Sequence, residues 1–240
     1  MSDHHGTVPF GAGWLFGPYA DGSELPGFDD GALAPVTLPH TVAPLSWQDW
    51  DPASWEQAWV YRKRFDAPPG HHGQRVFLDF GAAMTHATVT LNGTQVADHL
   101  GGYLPFSVEL GGLLRPRGNV LAVRLDSTFN LNVPPDRPAP EPAISVDYWQ
   151  PGGIYRDVRL RVVPQAFLAD VFAKPVSVLD PAARQVVVQA TVDATAGLAG
   201  PAHVAVRLLG DGGEIAAARV PVAIAGPGSA RSGSPSTGST

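Results

Sequence analysis

The chain has 240 residues, room for one large or two modest domains, and its 44% hydrophobic and 16% charged content is that of a folding polypeptide. A net charge of −6 without any Lys/Arg block excludes nucleic acid and anionic membrane as natural partners. The lack of cysteine removes disulfides, thiolate metal ligands and thiol catalysis together.

The first residues, Met1-Ser2-Asp3-His4-His5-Gly6, show no basic stretch leading into an apolar one, so no secretory signal is predicted. No apolar run approaches the ~18 residues of a membrane-spanning helix, and a cytoplasmic protein is the expectation. With 27 Gly and 24 Pro spread along the chain, no window supports a long helix. Asp29-Asp30 is the one adjacent carboxylate pair and reads as a solvated turn. Asp51-Pro52 followed by Ser54-Trp55-Glu56-Gln57 predicts a single helical turn, with Ser54 as its cap and Gln57 reaching back. Trp47, Trp50, Trp55 and Trp59 cluster nearby, and core or loop anchoring is favoured over a carbohydrate platform.

Strands dominate the remainder. Val76 to Phe80 and Ala87 to Leu91 alternate, the second ending at Asn92-Gly93, a pair suited to a hairpin turn. In Val120 to Leu125, Leu121, Val123 and Leu125 share a face opposite Arg124. After a Pro-rich stretch, Val158, Leu160 and Val162 alternate with Arg159 and Arg161. Pro164 marks a boundary, beyond which Val186 to Val192 and Val204 to Leu208 alternate, with Gly210-Asp211-Gly212-Gly213 as a turn. Only about 60 residues then remain for a domain type that usually needs ~100. From Gly226 the Gly/Ser/Pro composition predicts a disordered tail. An all-β, two-layer antiparallel sandwich follows from this pattern.

Catalytic and metal chemistry are poorly supplied. His4-His5 and His71-His72 lack a spaced second pair, so no metal site is expected, and no Gly-rich phosphate loop precedes a helix, so no cofactor is expected either. His40, after Pro39, reads as a hydrogen-bonded loop residue.

Seven segments in order carry a resemblance: Phe28-Asp29-Asp30-Gly31; Val36-Thr37-Leu38-Pro39-His40-Thr41; Trp59 to Phe65; Leu91-Asn92-Gly93; His99 to Phe106; Gly118 to Val123; and Asp147-Tyr148-Trp149-Gln150-Pro151-Gly152-Gly153-Ile154-Tyr155-Arg156-Asp157-Val158. Together, over about residues 14–163, they resemble the N-terminal sugar-binding domain of family 2 glycoside hydrolases, the β-galactosidase, β-glucuronidase and β-mannosidase group. The resemblance implies a jelly-roll (galactose-binding-like) β-sandwich at 8–163, a partial immunoglobulin-like β-sandwich at 164–225 and a tail at 226–240. It departs at Leu33, where the family commonly has Trp, and at Val42, where an aromatic is common; both are expected to alter packing.

In that family a TIM barrel follows and supplies both catalytic glutamates, one of them after an Asn. This sequence has no Asn-Glu pair and too few residues for a barrel of ~250. Retaining hydrolysis needs two carboxyl groups about 5–5.5 Å apart, and the residues here offer none, so no catalytic residue is expected. In the β-galactosidase branch, the Asp at the position of Asp147 reaches to the barrel and touches the sugar. Asp147 is therefore a candidate substrate-binding residue, a loop Asp capping its own backbone being the open alternative. Trp149 is a candidate stacking surface, with burial in the loop base the alternative. Arg156 is expected to be structural, buried against a distant carboxylate.

Three functions are compatible with this sequence. The first is the non-catalytic front of a β-glycosidase, truncated or split, with a catalytic barrel supplied elsewhere and a galactoside preferred. The second is a free-standing carbohydrate-binding module; the third is a structural or interaction sandwich. The expected partner is carbohydrate, and a homo-oligomer is compatible with the chain.

Overall fold

The computed structural model describes residues 6–44, 51–128, 152–195, 198, 200–223 and 230–232, with residues 52, 223 and 230–232 given by backbone alone. The chain divides into two units, Met1–Val162 and Val163–Thr240.

Among the described residues the first unit carries ten strands: β1 Gly6–Pro9, β2 Trp14–Pro18, β3 Ala34–Val36, β4 Ala58–Phe65, β5 Arg75–Phe80, β6 His86–Leu91, β7 Thr94–Leu100, β8 Phe106–Glu109, β9 Asn119–Asp126 and β10 Val158–Val163. They form a six-stranded sheet in the order β3-β2-β4-β9-β6-β7 and a four-stranded sheet in the order β1-β10-β5-β8. Successive side chains of a strand face opposite sides, so alternation in sequence becomes one apolar face per sheet. Leu121, Val123 and Leu125 of β9, Val89 and Leu91 of β6, and Trp59 and Tyr61 of β4 line that face in the larger sheet. Val76, Leu78 and Phe80 of β5, with Val158, Leu160 and Val162 of β10, line it in the smaller one. The two faces close on one core, as the alternating segments predict.

The β6–β7 turn shows why Asn-Gly stands there. Asn92 and Gly93 have φ of 54° and 86°, which these two residue types tolerate best. The Asn92 side chain also donates to the Leu113 carbonyl (2.8 Å) and to Asn119 Oδ1 (3.1 Å), and accepts from Val120 N–H (2.9 Å).

The outer face of the larger sheet holds a buried cation. Arg62 of β4 points away from the core yet is 1% exposed, because the β2–β3 connection folds over it. Its Nε donates to Asp30 Oδ1 at 2.5 Å, Nη1 donates to the Ser23 and Leu25 carbonyls, and the guanidinium lies 5.3 Å from the Phe28 ring centre. Asp30 also receives Arg64 Nε at 2.9 Å. Of the adjacent carboxylates, Asp29 fits the predicted turn, accepting from Gly31 N–H at 3.0 Å, whereas Asp30 is a buried-pair anchor.

The turn at Pro52–Ser54 is a short 3-10 turn and is capped by Asp51, whose Oδ1 accepts from Ala53 N–H at 3.0 Å. Ser54 is inside the turn and its hydroxyl donates back to the Asp51 carbonyl at 2.7 Å, so the expectation of a Ser54 cap is corrected. An Asp directly before Pro is the stronger start signal, since Pro suits the first helical position and Asp the position before it.

The second unit carries β11 Ala166–Val176, β12 Gln185–Ala194, β13 Pro201–Gly210, β14 Gly213–Ala223 and β15 Ala230–Ser232. β12 lies between β11 and β15, and β13 pairs with β14 through the predicted turn, with Gly210 facing Gly213. The short strand β15 lies within the stretch whose composition predicts a tail. Among its described residues only Ala190 and Val222 are buried apolar side chains, while Leu168, Val171, Phe172, Leu179, Leu209 and Ile215 are exposed.

Candidate functional site

One end of the first sandwich gathers five loop segments: His40–Val42 after β3, Trp55–Gln57 before β4, Gly81–Thr85 between β5 and β6, Ser127–Thr128 after β9, and Gly152–Asp157 before β10. Hydrogen bonds between backbones tie them together. Met84 and Gly153 exchange both bonds (2.9 and 3.1 Å), His40 N–H donates to the Ile154 carbonyl (2.9 Å), and Val42 N–H to the Gly152 carbonyl (3.3 Å). Gly81 N–H donates to the Asp157 carbonyl at 2.9 Å.

The glycines in Gly152-Gly153 are required by both conformation and space. Their φ angles are +60° and +116°. A Cβ at Gly152 would lie 2.7 Å from Ser127 Cβ, and one at Gly153 would lie 2.4 Å from the His40 carbonyl oxygen. No side chain fits there without moving backbone.

Ser127 is the matching anchor on the other side. Its hydroxyl lies 2.5 Å from the Trp55 carbonyl and 3.1 Å from the Gln57 carbonyl, and it accepts from Trp59 Nε1 at 3.1 Å. Trp59 also donates to the Trp55 carbonyl at 3.0 Å, and both indoles are buried. For these two tryptophans the anchoring function is the observed one.

Asp147 and Trp149 lie outside the described residues, as do Trp47, Trp50, His4 and His5. Along the chain, Asp147 precedes Gly152 by five residues. His40 is hydrogen-bonded as expected, its Nδ1 lying 2.9 Å from the Tyr61 hydroxyl. Burial lowers the His40 pKa below the ordinary histidine value. Burial raises that of Tyr61 far above the tyrosine range, against a smaller lowering from the backbone N–H of Ile154. Val42 is buried at 9% exposure and Leu33 packs over Gly17, so both departures from the family pattern are packing residues.

Arg156 corrects an expectation. It is exposed, donates to the Tyr103 carbonyl at 3.4 Å and lies over the Tyr155 ring, with no carboxylate partner among the described residues. Arg156 lies in the loop before β10, where strand alternation does not set its direction. Asp157 instead pairs with Arg159 at 3.1 Å. Among the described residues no group of three metal-ligating side chains comes together, and no helix is long and apolar enough to cross a membrane. Sequence reasoning missed Tyr61 and Ser127; an isolated Ser after a strand carries no local signal of its distant partners.

A family model for the glycosyl hydrolase 2 galactose-binding domain-like fold matches residues 44–152. The chain is similar to a β-galactosidase of Thermoanaerobacter pseudethanolicus, 29% identical over 170 residues, covering 69% of this chain and 22% of that protein. A β-galactosidase of Thermoanaerobacterium thermosulfurigenes is 28% identical over 168 residues, covering 68% and 22%. In fold it resembles a β-glucuronidase of Bacteroides uniformis, with a TM-score of 0.78 at 22% identity over 98% of this chain and 28% of that one. The chain thus spans under a third of the length of these relatives.

Proposed function

We propose, from the premise that the first unit belongs to the galactose-binding-like domains of family 2 glycoside hydrolases, that this chain is the non-catalytic, sugar-facing front of a β-glycosidase. The observation that carries the reading is the family match over residues 44–152, which ends at the Gly152-Gly153 anchor. In this reading the hydrolytic carboxylates come from a barrel domain, and this chain supplies one wall of the sugar subsite. Asp147 accepts hydrogen bonds from paired sugar hydroxyls, where an ionised acceptor is strongest. Trp149 offers an apolar ring face. A β-galactoside is the favoured substrate, supported by Asp147 and by the names of two relatives. The second unit is read as an immunoglobulin-like sandwich of which these residues form part. A cysteine-free chain suits a reducing compartment, in keeping with a cytoplasmic location.

A single wall buries little of a monosaccharide, whereas ligand sites bury most of their ligand. Galactose is therefore expected to bind this chain at about millimolar or weaker, roughly −4 kcal/mol or less favourable. Calorimetry on the chain alone, and on the chain joined to a family 2 barrel, tests this. Joining should tighten binding, and Asp147→Asn should then weaken it about tenfold by removing a charged acceptor. Micromolar binding by the chain alone would refute the single wall and support a free-standing carbohydrate-binding module.

A further inference from the structure

At the edge of the smaller sheet the first unit carries an open cleft of about 290 Å³. Pro9, Gly11, Leu38, Asp157, Val158 and Arg159 are among the residues that line it. β1 is the edge strand, and its Pro9 lies directly opposite Arg159 of β10, which puts the two on one face of the sheet. Backbone bonds hold the walls: Phe10 N–H donates to the Val158 carbonyl and Leu38 N–H to the Gly11 carbonyl, both at 2.9 Å.

Asp157 and Arg159 are the charged groups of this lining, and they bond to each other, Nη2 donating to Oδ2 at 3.1 Å. That bond engages one of two carboxylate oxygens and one of five guanidinium N–H groups. Both side chains are more than half exposed, so the pair keeps donors and acceptors turned to solvent. An exposed pair of this kind contributes little to stability. Arg161, the next cation along β10, is held in two bonds by Asp79, at 2.7 and 3.0 Å, so it adds no unbalanced charge to the face.

We propose that this cleft is a contact site for a small neutral saccharide, in which Asp157 accepts from one hydroxyl and Arg159 donates to its neighbour. A sugar hydroxyl both donates and accepts, so adjacent hydroxyls match a carboxylate set beside a guanidinium. An anionic ligand meets an Arg159 whose charge Asp157 already offsets, and a cationic one meets the converse. Pro9, Leu38 and Val158 supply apolar surface for the C–H face of the ring. The cleft lies at the lower end of the range of ligand sites, about 300–1,000 Å³, which suits one short saccharide and weak binding. The proposal stands on this cleft alone and goes beyond the reading above, since it uses neither Asp147 nor Trp149.

The test is proton–nitrogen NMR of the 15N-labelled full chain, with galactose titrated to about tens of millimolar. The Arg159 Nε–H signal is assigned by its loss in Arg159→Met. Saturating galactose shifts are expected at Arg159 Nε–H and at the Gly11 amide, with inorganic phosphate at the same concentration moving neither. The Gly11 shift should saturate at about fivefold higher galactose in Asp157→Asn and in Arg159→Met, with urea midpoints unchanged. Arg207→Met, which breaks an exposed pair of the second unit, should leave the galactose shifts as they are. Galactose that moves neither signal would overturn the proposal. So would shifts indifferent to both variants, or phosphate shifts that exceed those of galactose. Absent Arg159 shifts, together with binding to the barrel fusion that Asp147→Asn weakens, would remove the cleft and leave the proposed function standing.

Discussion

Replacing Asp30 by Ala is expected to destabilise the first sandwich by about 3 kcal/mol. Breaking a buried ion pair from one side costs roughly 3–5 kcal/mol, because the surviving charge is left without its partner. The lower end applies here: Asp30 is 19% exposed, and Arg62, at 1%, keeps the Ser23 and Leu25 carbonyls and the Phe28 face. Nη2 of Arg62 has no partner among the described residues, so the substitution leaves a second guanidinium nitrogen without one. The lost bond to Arg64, itself 55% exposed, adds little because water screens it. With a urea slope of about 2 kcal/mol/M, the midpoint should fall by about 1.5 M. Tryptophan fluorescence isolates this unit, since all 6 tryptophans of the chain lie at or before Trp149. Asp29→Ala is the control; it loses one exposed turn bond and should cost under about 1 kcal/mol. Replacing Asp30 and Arg62 together by Leu and Met should cost less than Asp30→Ala, because no buried charge remains. A loss below about 1 kcal/mol for Asp30→Ala, or equal effects at Asp29 and Asp30, would refute the reasoning.

Three further outcomes are expected. Gly153→Ala should lower stability by about 2–3 kcal/mol in the same urea titration, since its φ is +116° and its Cβ would lie 2.4 Å from the His40 carbonyl oxygen; an unchanged midpoint would contradict the packing described at Gly152-Gly153. The lowered pKa of His40 means the unfolded chain takes a proton that the folded chain resists, so this group's contribution is fully present above about pH 6.5 and is lost as pH falls through and below that value. Urea midpoints between pH 8 and 5 should show a decline that His40→Phe flattens, separate from the loss of the Asp79 ion pairing, which sets in only as pH falls into the ordinary carboxylate range and continues below it. Amide exchange should be faster in β11–β14 than in β4, β5, β6 and β9, because so few apolar side chains of the second unit are buried; equal protection would contradict this.

The sheets were legible because alternation is a local property. Leu121, Val123 and Leu125 read as one face without knowledge of any other strand, and β9 presents that face to the core. Arg62 defeats the same logic. Its place in the alternation assigns it to solvent, and only the return of the β2–β3 connection, bringing Asp30 from 32 residues away, makes it a buried cation. The adjacent Asp29 and Asp30 look equivalent in sequence, yet one serves its own turn and the other a distant strand. The cap at Asp51 was within reach of local rules, since Pro52 marks the start of the turn, but Ser54 offered a competing and more familiar pattern.

The candidate site divides along the same line between local and distant chemistry. Asp147 and Trp149 could be singled out because they sit in a contiguous block whose order resembles a family pattern. The residues that close around Gly152-Gly153 have no such contiguity: His40 meets Tyr61 across 21 positions, and Ser127 meets Trp59 across 68. Gly152 and Gly153 are intermediate cases. Their identity is visible in the motif, while the need for it comes from Ser127 on one side and the His40 carbonyl on the other. A short motif therefore names the residues proposed for ligand contact, whereas the anchors around Gly152-Gly153 are side chains that only the folded sandwich brings together. By this reasoning a graft of residues 147–158 onto another sandwich would carry Asp147 and Trp149 but not His40 or the clasp at Ser127. Such a graft should bind galactose no better than an unrelated Asp-bearing loop.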